Sequence, residues 1–196
     1  MKKIVVFMFS IVLLGSCRKK GCTDPYAVNY DSVATEADGS CILIGDTYQG
    51  GIVFYVDGAG GGLIAAPTDQ ADQATTAVIW GCSGAIITGA DGVAIGTGNQ
   101  NTIDIVTGCT FNSGYAAQIC YNLNLGGYDD WYLPSKDELN EMYLNKAVIG
   151  GFGNDNNYWS STEYDNNGAW LQVFDSGSRY NVGKGNYFVV RAVRAF

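Results

Sequence analysis

The 196-residue chain contains no histidine. That absence excludes serine–histidine–aspartate and cysteine–histidine catalysis, together with every metal site that needs an imidazole ligand. Basic residues are scarce too, 11 lysines and arginines against 19 acids. Nucleic-acid binding depends on neutralising phosphates with lysine and arginine, so no nucleic-acid partner is expected. Charge alone would not draw a strongly sulfated polysaccharide either. The apolar run Ile4 to Leu14, broken only by Ser10, falls short of the roughly 20 residues a membrane-spanning helix needs. No solenoid repeat runs through the chain.

What is present begins with that short run. Lys2 and Lys3 precede it, and small residues follow in Leu14-Gly15-Ser16-Cys17. A basic start, a short apolar stretch and a small-residue exit describe a secretory signal peptide. A cysteine directly after the small residues resembles the lipobox of bacterial lipoproteins. The resemblance implies cleavage after residue 16, lipid on Cys17, and an exported chain held to a membrane by that lipid. Several acyl chains anchor far more firmly than one. Arg18 stands where an aspartate would resemble an inner-membrane retention signal, which favours the outer membrane and a surface-exposed protein. Residues 1–16 are thus expected to leave, with 17–21 as a lipidated tether. The remaining chain has 9 basic and 19 acidic residues, a net charge of −10.

Six cysteines in an exported chain suggest disulfides. With Cys17 lipidated, five remain, so at least one thiol is unpaired within the chain. Residues 22–45 read as a small module, CTDPYAVNYDSVATEADGSC followed by a short linker. It has too little apolar content to fold without a staple, so Cys22 and Cys41 are expected to close it. Asp24, Asn29, Asp31 and Asp38 there suit Asx-turn capping, with calcium ligation through oxygen as the alternative.

Residues 46–196 read as one α+β domain. Ile52 to Val56 and Leu63 to Ala66 flank a glycine turn and form a hairpin. Residues 68–112 are rich in glycine, threonine and asparagine and read as long loops with short strands, tied by Cys82 and Cys109. A loop of that length is functional or stapled. Two helices follow, over Ser113–Leu125 and from a capping box at Ser135-Lys136-Asp137-Glu138 to about Lys146. Cys120 lies on the apolar stripe of the first and is expected to be a buried, inert thiol. The C-terminal part reads as strands over 158–162, 169–174 and 187–196.

Several stretches carry a family resemblance: GGIVFYVD, GLIAAPTDQ, GTGNQNTIDI, AAQICYNLNLGGYDDWYLPSKDELNEMY, NYWSSTEYDNNGAW and NYFVVRAVRAF. Together they resemble the Lcl C-terminal domain of collagen-like bacterial adhesins, over nearly all of 46–196. Two helices followed by a W-S-S hairpin and a final V-R-x-V-R strand also resemble C-type-lectin-like folds, which include the formylglycine-generating enzymes. Those enzymes need a cysteine pair in the C-terminal region, and no cysteine lies beyond Cys120, so that catalysis does not transfer. The family resemblance implies a surface-exposed adhesive domain. Its association with anionic polysaccharides implies a basic surface, whereas 46–196 holds 6 basic and 15 acidic residues, a net charge of −9. That ligand is therefore not carried over.

Adjacent Asp129 and Asp130 point in different directions and suit turn capping beside a buried Trp131 and Leu133, not the facing pair that glycoside chemistry requires. Glu163, Asp165, Asn166 and Asn167 sit at a turn before Trp170. The C-type-lectin-like resemblance makes them candidate ligand-binding residues with Trp159 and Trp170, and makes Glu163, Asp165 and Asn167 candidate calcium ligands, with turn chemistry as the other reading. Tyr158, Tyr164 and Tyr180 are further candidates for stacking on sugars. Arg191 and Arg194, three apart on one strand, should face opposite ways, at least one forming an ion pair near the helix caps. The expectation is a non-enzymatic, lipid-anchored surface protein that binds carbohydrate or a host or matrix protein. No cofactor is expected, turn chemistry being the default reading of these residues and calcium the alternative. The alternative is a structural component of the cell envelope.

Overall fold

The structure, a computed structural model, describes residues 18–71, 76–110, 113–153 and 156–196. The leader 1–16 and Cys17 lie outside the described residues. No described helix is long and apolar enough to cross a membrane.

The small module is closed by Cys22–Cys41, with Cα atoms 4.8 Å apart. Its side chains do turn chemistry. Asp24 accepts from Tyr26 N, Asp31 from Val33 N and Asp38 from Ser40 N. Asn29 donates to Ser40 O and accepts from Ile42 N, locking the exit of the loop to its middle. Part of the expected tether belongs to this module. Lys20–Gly21 (β1) pairs in parallel with Glu36–Ala37 (β2), and the Lys19 ammonium lies 2.8 Å from Asp31. A tether rich in cations beside an acidic loop folds back on it.

Thr47–Tyr48 (β3), Gly51–Val56 (β4) and Gly62–Ala65 (β5) follow, β4 and β5 forming the expected antiparallel hairpin. The helices come next: Gly98–Gly108 (α1), Ala116–Tyr121 (α2), Lys136–Leu144 (α3) and Lys146–Ile149 (α4). Asn157–Glu163 (β6), Gly168–Val173 (β7) and Arg179–Gly183 (β8) form an antiparallel three-stranded sheet in that order. Val193–Ala195 (β9) returns to pair with β5, completing a sheet of order β3-β4-β5-β9. The architecture is mixed α+β, with two disulfides.

The strand period of two decides the core. Along β4 Val53 enters one apolar cluster and Phe54 the other, and along β5 Ile64 and Leu63 divide the same way. Trp131 and Leu133 share the first cluster, while Tyr132 joins the second; Trp159 and Tyr158, then Val190 and Val189, repeat the split. Both faces of these segments are therefore buried. Trp80, Trp131 and Trp159 are fully buried, and each indole N–H finds a carbonyl, on Ser160, Leu125 and Val78 respectively. Leaving such a donor unpaired would cost about 1–3 kcal/mol.

Helix α1 lies in a stretch that reads as loop. Its sequence, GNQNTIDIVTG, is poor in good helix formers. Tertiary contacts hold it instead. The Asn101 amide donates to Gly92 O at 2.7 Å and accepts from Gly92 N. Thr102 donates to Gly98 O and accepts from Leu133 N at 3.0 Å. The capping box at Ser135 forms as its sequence indicates. The helix predicted over 113–125 is shorter, 116–121, and the C-terminal strand is broken into bridges at Phe188, Val189 and Val190 before β9. Strand β8 has little apolar content and was not legible as a strand.

Both C-terminal arginines make ion pairs. Buried Arg191 lies 2.6 Å from Asp69 and donates to Gly150 and Gly151 carbonyls at the C-terminal end of α4. Arg194 pairs with Asp130 and Gln49 and stacks over the Tyr128 ring. Asp130 is thereby a structural partner. At one tight crossing Gly50 meets Gly126. Both have positive φ, and a Cβ on Gly50 would lie 2.8 Å from the Gly126 Cα.

Candidate binding surface

The residues singled out around the β6–β7 turn separate into two groups with opposite fates. A register shift between Trp159 and Glu163 turns the end of β6 inward. The Glu163 carboxylate then accepts from Ile87 N with both oxygens, at 2.9 and 3.1 Å. It also meets the Lys184 ammonium, which donates to Ala85 O at 2.8 Å and lies 4.8 Å from the Trp80 ring centroid. Both side chains are buried, Lys184 at 0% and Glu163 at 5% exposure. This pair fastens the 82–90 loop to the hairpin. Glu163 N donating to Ala90 O and Gly84 N donating to Asn166 O complete the fastening.

Asp165 stays on the turn and accepts from Asn167 N and Gly168 N. Asn166 and Asn167 are exposed beside it. Of the three candidate calcium ligands, Glu163 is committed to Lys184 and the Ile87 amide, and Asp165 caps the turn at Asn167 and Gly168. Among the described residues no group of three or more Asp, Glu, Cys or His side chains is placed to hold a metal ion. Trp159 also leaves the candidate surface. It is fully buried, with Phe188 against its ring edge.

Trp170 meets a different environment. It is half-buried on β7, opposite Asn181 of β8. The Lys136 ammonium, at the first turn of α3, stands 3.2 Å from its ring centroid. Tyr164 meets the ring edge-on, centroids 5.6 Å apart, and is itself 56% exposed. Arg179, one strand over, pairs with Asp137 at 3.2 Å. Tyr180 is exposed on β8. Burial, and then the nearby Arg179 charge, hold the Lys136 ammonium below the usual lysine range. The surface therefore offers a flat indole, the exposed phenol of Tyr164, a partly desolvated cation and the amides of Asn166, Asn167 and Asn181; Tyr180, opposite Leu171, lies on the other face of the sheet. Such a set can stack on a ring face and hydrogen-bond its edge.

The perturbed acid near α3 is not part of this surface. Glu138 is fully buried and accepts from Gly96 N at 2.8 Å, Ser135 N at 2.8 Å and the Tyr132 hydroxyl. Burial outweighs these donors and holds its carboxyl above the usual range. Its partners are backbone amides, so it joins the α1 and α3 N-termini. A concavity of about 620 Å³ lies elsewhere, lined by Lys146, Gly151, Phe152, Phe174 and Asp175 among others. Its lysine already donates to Phe174 O.

Disulfide Cys82–Cys109 is present, with Cα atoms 5.5 Å apart, and Cys120 is a buried free thiol. Burial pushes that thiol well above its ordinary range. Lys136 and Lys184 were missed as functional or structural anchors in the sequence, while Glu138 was read there as a capping-box residue. Lys184 did carry a signal, as a lone cation between two glycines in an acidic domain.

The profile of the Lcl C-terminal domain matches residues 71–194, and the chain belongs to that family. No curated protein matches the chain. The matched span begins after β5, yet β5 pairs with β9 at its far end, so residues 47–65 complete the same sheet.

Proposed function

We propose, taking membership of the Lcl C-terminal domain family as the premise, that this protein is an exported, lipid-anchored surface protein. It binds carbohydrate or a host or matrix protein, adhesin-like and without catalysis. The contact surface is the outer face of the β6–β7–β8 sheet around Trp170. One observation carries this reading. Three of the four tryptophans are fully buried, while Trp170 alone stays half-open, under a lysine ammonium and with the exposed Tyr164 ring against it. Helices followed by a W-S-S hairpin support a C-type-lectin-like relationship for the domain, and the sequence at Cys17 supports the lipid anchor. The perturbed carboxyl of Glu138 is out of reach of any substrate, which favours binding over catalysis.

The test is an array of glycans and matrix proteins probed with the protein and with Trp170→Ala, in calcium and in chelator. A hit weakened tenfold or more by Trp170→Ala and unchanged by chelator supports the reading, because Glu163 is committed to Lys184. Equal binding by both proteins, or no hit at all, sinks it. For the anchor, labelled palmitate should enter the wild type and not Cys17→Ala.

A further inference from the structure

Strand β8 ends its sheet. Its five residues, Arg179 to Gly183, are exposed except for half-buried Val182. The ladder fixes which backbone groups look outward. Lys184 N donates to Asn167 O and Val173 N donates to Ser178 O. Residues 178, 180, 182 and 184 therefore face β7, and Arg179, Asn181 and Gly183 turn their N–H and C=O away from it. Gly183 O is taken by Asn186. Among the described residues no backbone partner meets the outward groups of Arg179 and Asn181, or Gly183 N. Native edges are usually blunted by lysine, proline, a bulge or a covering segment. Residues 179–183 hold no lysine or proline, and their register with β7 runs without a shift.

We infer that β8 pairs antiparallel with β8 of a second copy, about a two-fold axis through Asn181. That register is self-complementary. Asn181 faces Asn181, exchanging two N–H···O bonds, and each Gly183 N–H reaches the other Arg179 carbonyl. Tyr180 falls opposite Val182 of the other copy, an aromatic–β-branched pair of the kind that stabilises sheets. The two Arg179 side chains are kept apart, roughly 13 Å along the strands. Each instead approaches the β6–β7 turn of the other copy, where Asp165 is exposed one strand beyond Gly183. Each Arg179, paired with Asp137 of its own chain, is thus set between that acid and the other copy's Asp165.

The geometry has a functional consequence. An axis through an antiparallel strand pair stands perpendicular to the sheet, so equivalent faces of both copies look the same way. Trp170 lies opposite Asn181, so the two indoles sit on one side, three strand spacings or about 14 Å apart. A pair would present a double platform, and two weak contacts would become one strong attachment. The pairing itself stands or falls independently of any ligand.

Cysteine cross-linking of the full chain in its own membrane tests the register. Residues facing each other as a hydrogen-bonded pair have Cα atoms about 5.5 Å apart, within reach of a disulfide. Asn181→Cys is expected to yield a covalent dimer on a non-reducing gel. Arg179→Cys alone should not, but should cross-link to co-expressed Gly183→Cys. Asn181→Pro removes an outward N–H while leaving the ladder to β7, so it should convert a detergent-extracted dimer to monomer with unchanged circular dichroism. Equal cross-linking at 179 and 181, absence of any dimer, or an Asn181→Pro protein that remains dimeric overturns the inference. Loss of array binding in Trp170→Ala with cross-linking intact would support the binding surface separately.

Discussion

Replacing Lys184 by methionine removes a charge that no solvent shares. The ammonium is fully buried against Glu163, Ala85 O and the Trp80 ring. Methionine keeps most of the stem volume, so packing changes little and the electrostatic loss dominates. Glu163 would keep only the Ile87 amide, and Ala85 O would lose its donor. Breaking one partner out of a buried pair costs about 3–5 kcal/mol, since the survivor is a buried, uncompensated charge. Exposed pairs such as Arg179–Asp137 are worth less than about 1 kcal/mol. With a urea slope near 2 kcal/mol/M, the midpoint should fall by about 2 M. Trp80, against the ammonium, supplies the fluorescence signal. Removing both charges with Glu163→Leu and Lys184→Met should cost less than the two single changes summed, because neither is left alone. Single substitutions that each cost under about 1 kcal/mol, or that add within about 0.5 kcal/mol, would refute the argument. If Glu163 served calcium instead, added calcium would raise the wild-type melting temperature. The structure predicts no shift.

Three further outcomes follow from the same interior. Burial holds Glu138 above its ordinary range, so its contribution is fully present below the unfolded carboxyl pKa and fades as pH rises through the folded one. Wild type should therefore lose stability relative to Glu138→Gln as pH rises from 4 through that window; a difference flat in pH would contradict it. Cys120, buried and with its thiol pushed up, should resist iodoacetamide in the native protein and react once unfolded, as peptide mapping would read. Non-reducing maps should find Cys22 joined to Cys41 and Cys82 to Cys109, and Cys82→Ala with Cys109→Ala should cost about 3.5 kcal/mol for a closed loop of this size.

Local chemistry was legible wherever a short segment carries its own instruction. Ser135 and Glu138 form a capping box because each reaches the other's backbone within one turn. The β4–β5 hairpin follows from alternating apolar residues around a glycine turn. Cys22 and Cys41 bound a loop too poor in apolar residues to fold without a staple. Helix α1 escaped detection because its helical state rests on Asn101 and Thr102 bonding to residues far away in sequence. Strand β8, polar and half-solvated, owes its form to the partner beside it.

The same division governs the candidate site. The chain by itself determined that Trp159, Glu163, Asp165, Asn167 and Trp170 would cluster around one hairpin, since an Asp-Asn-Asn-Gly turn brings its flanking strands together. It could not determine which of them would face outward. Beyond an irregular register in β6, Glu163 meets Lys184; Phe188 and the core cover Trp159; and α3 lays Lys136 on Trp170 and leaves that ring half open. Burial and pairing are settled by distant segments, because a side chain's energy depends on what surrounds it and not on its neighbours in sequence.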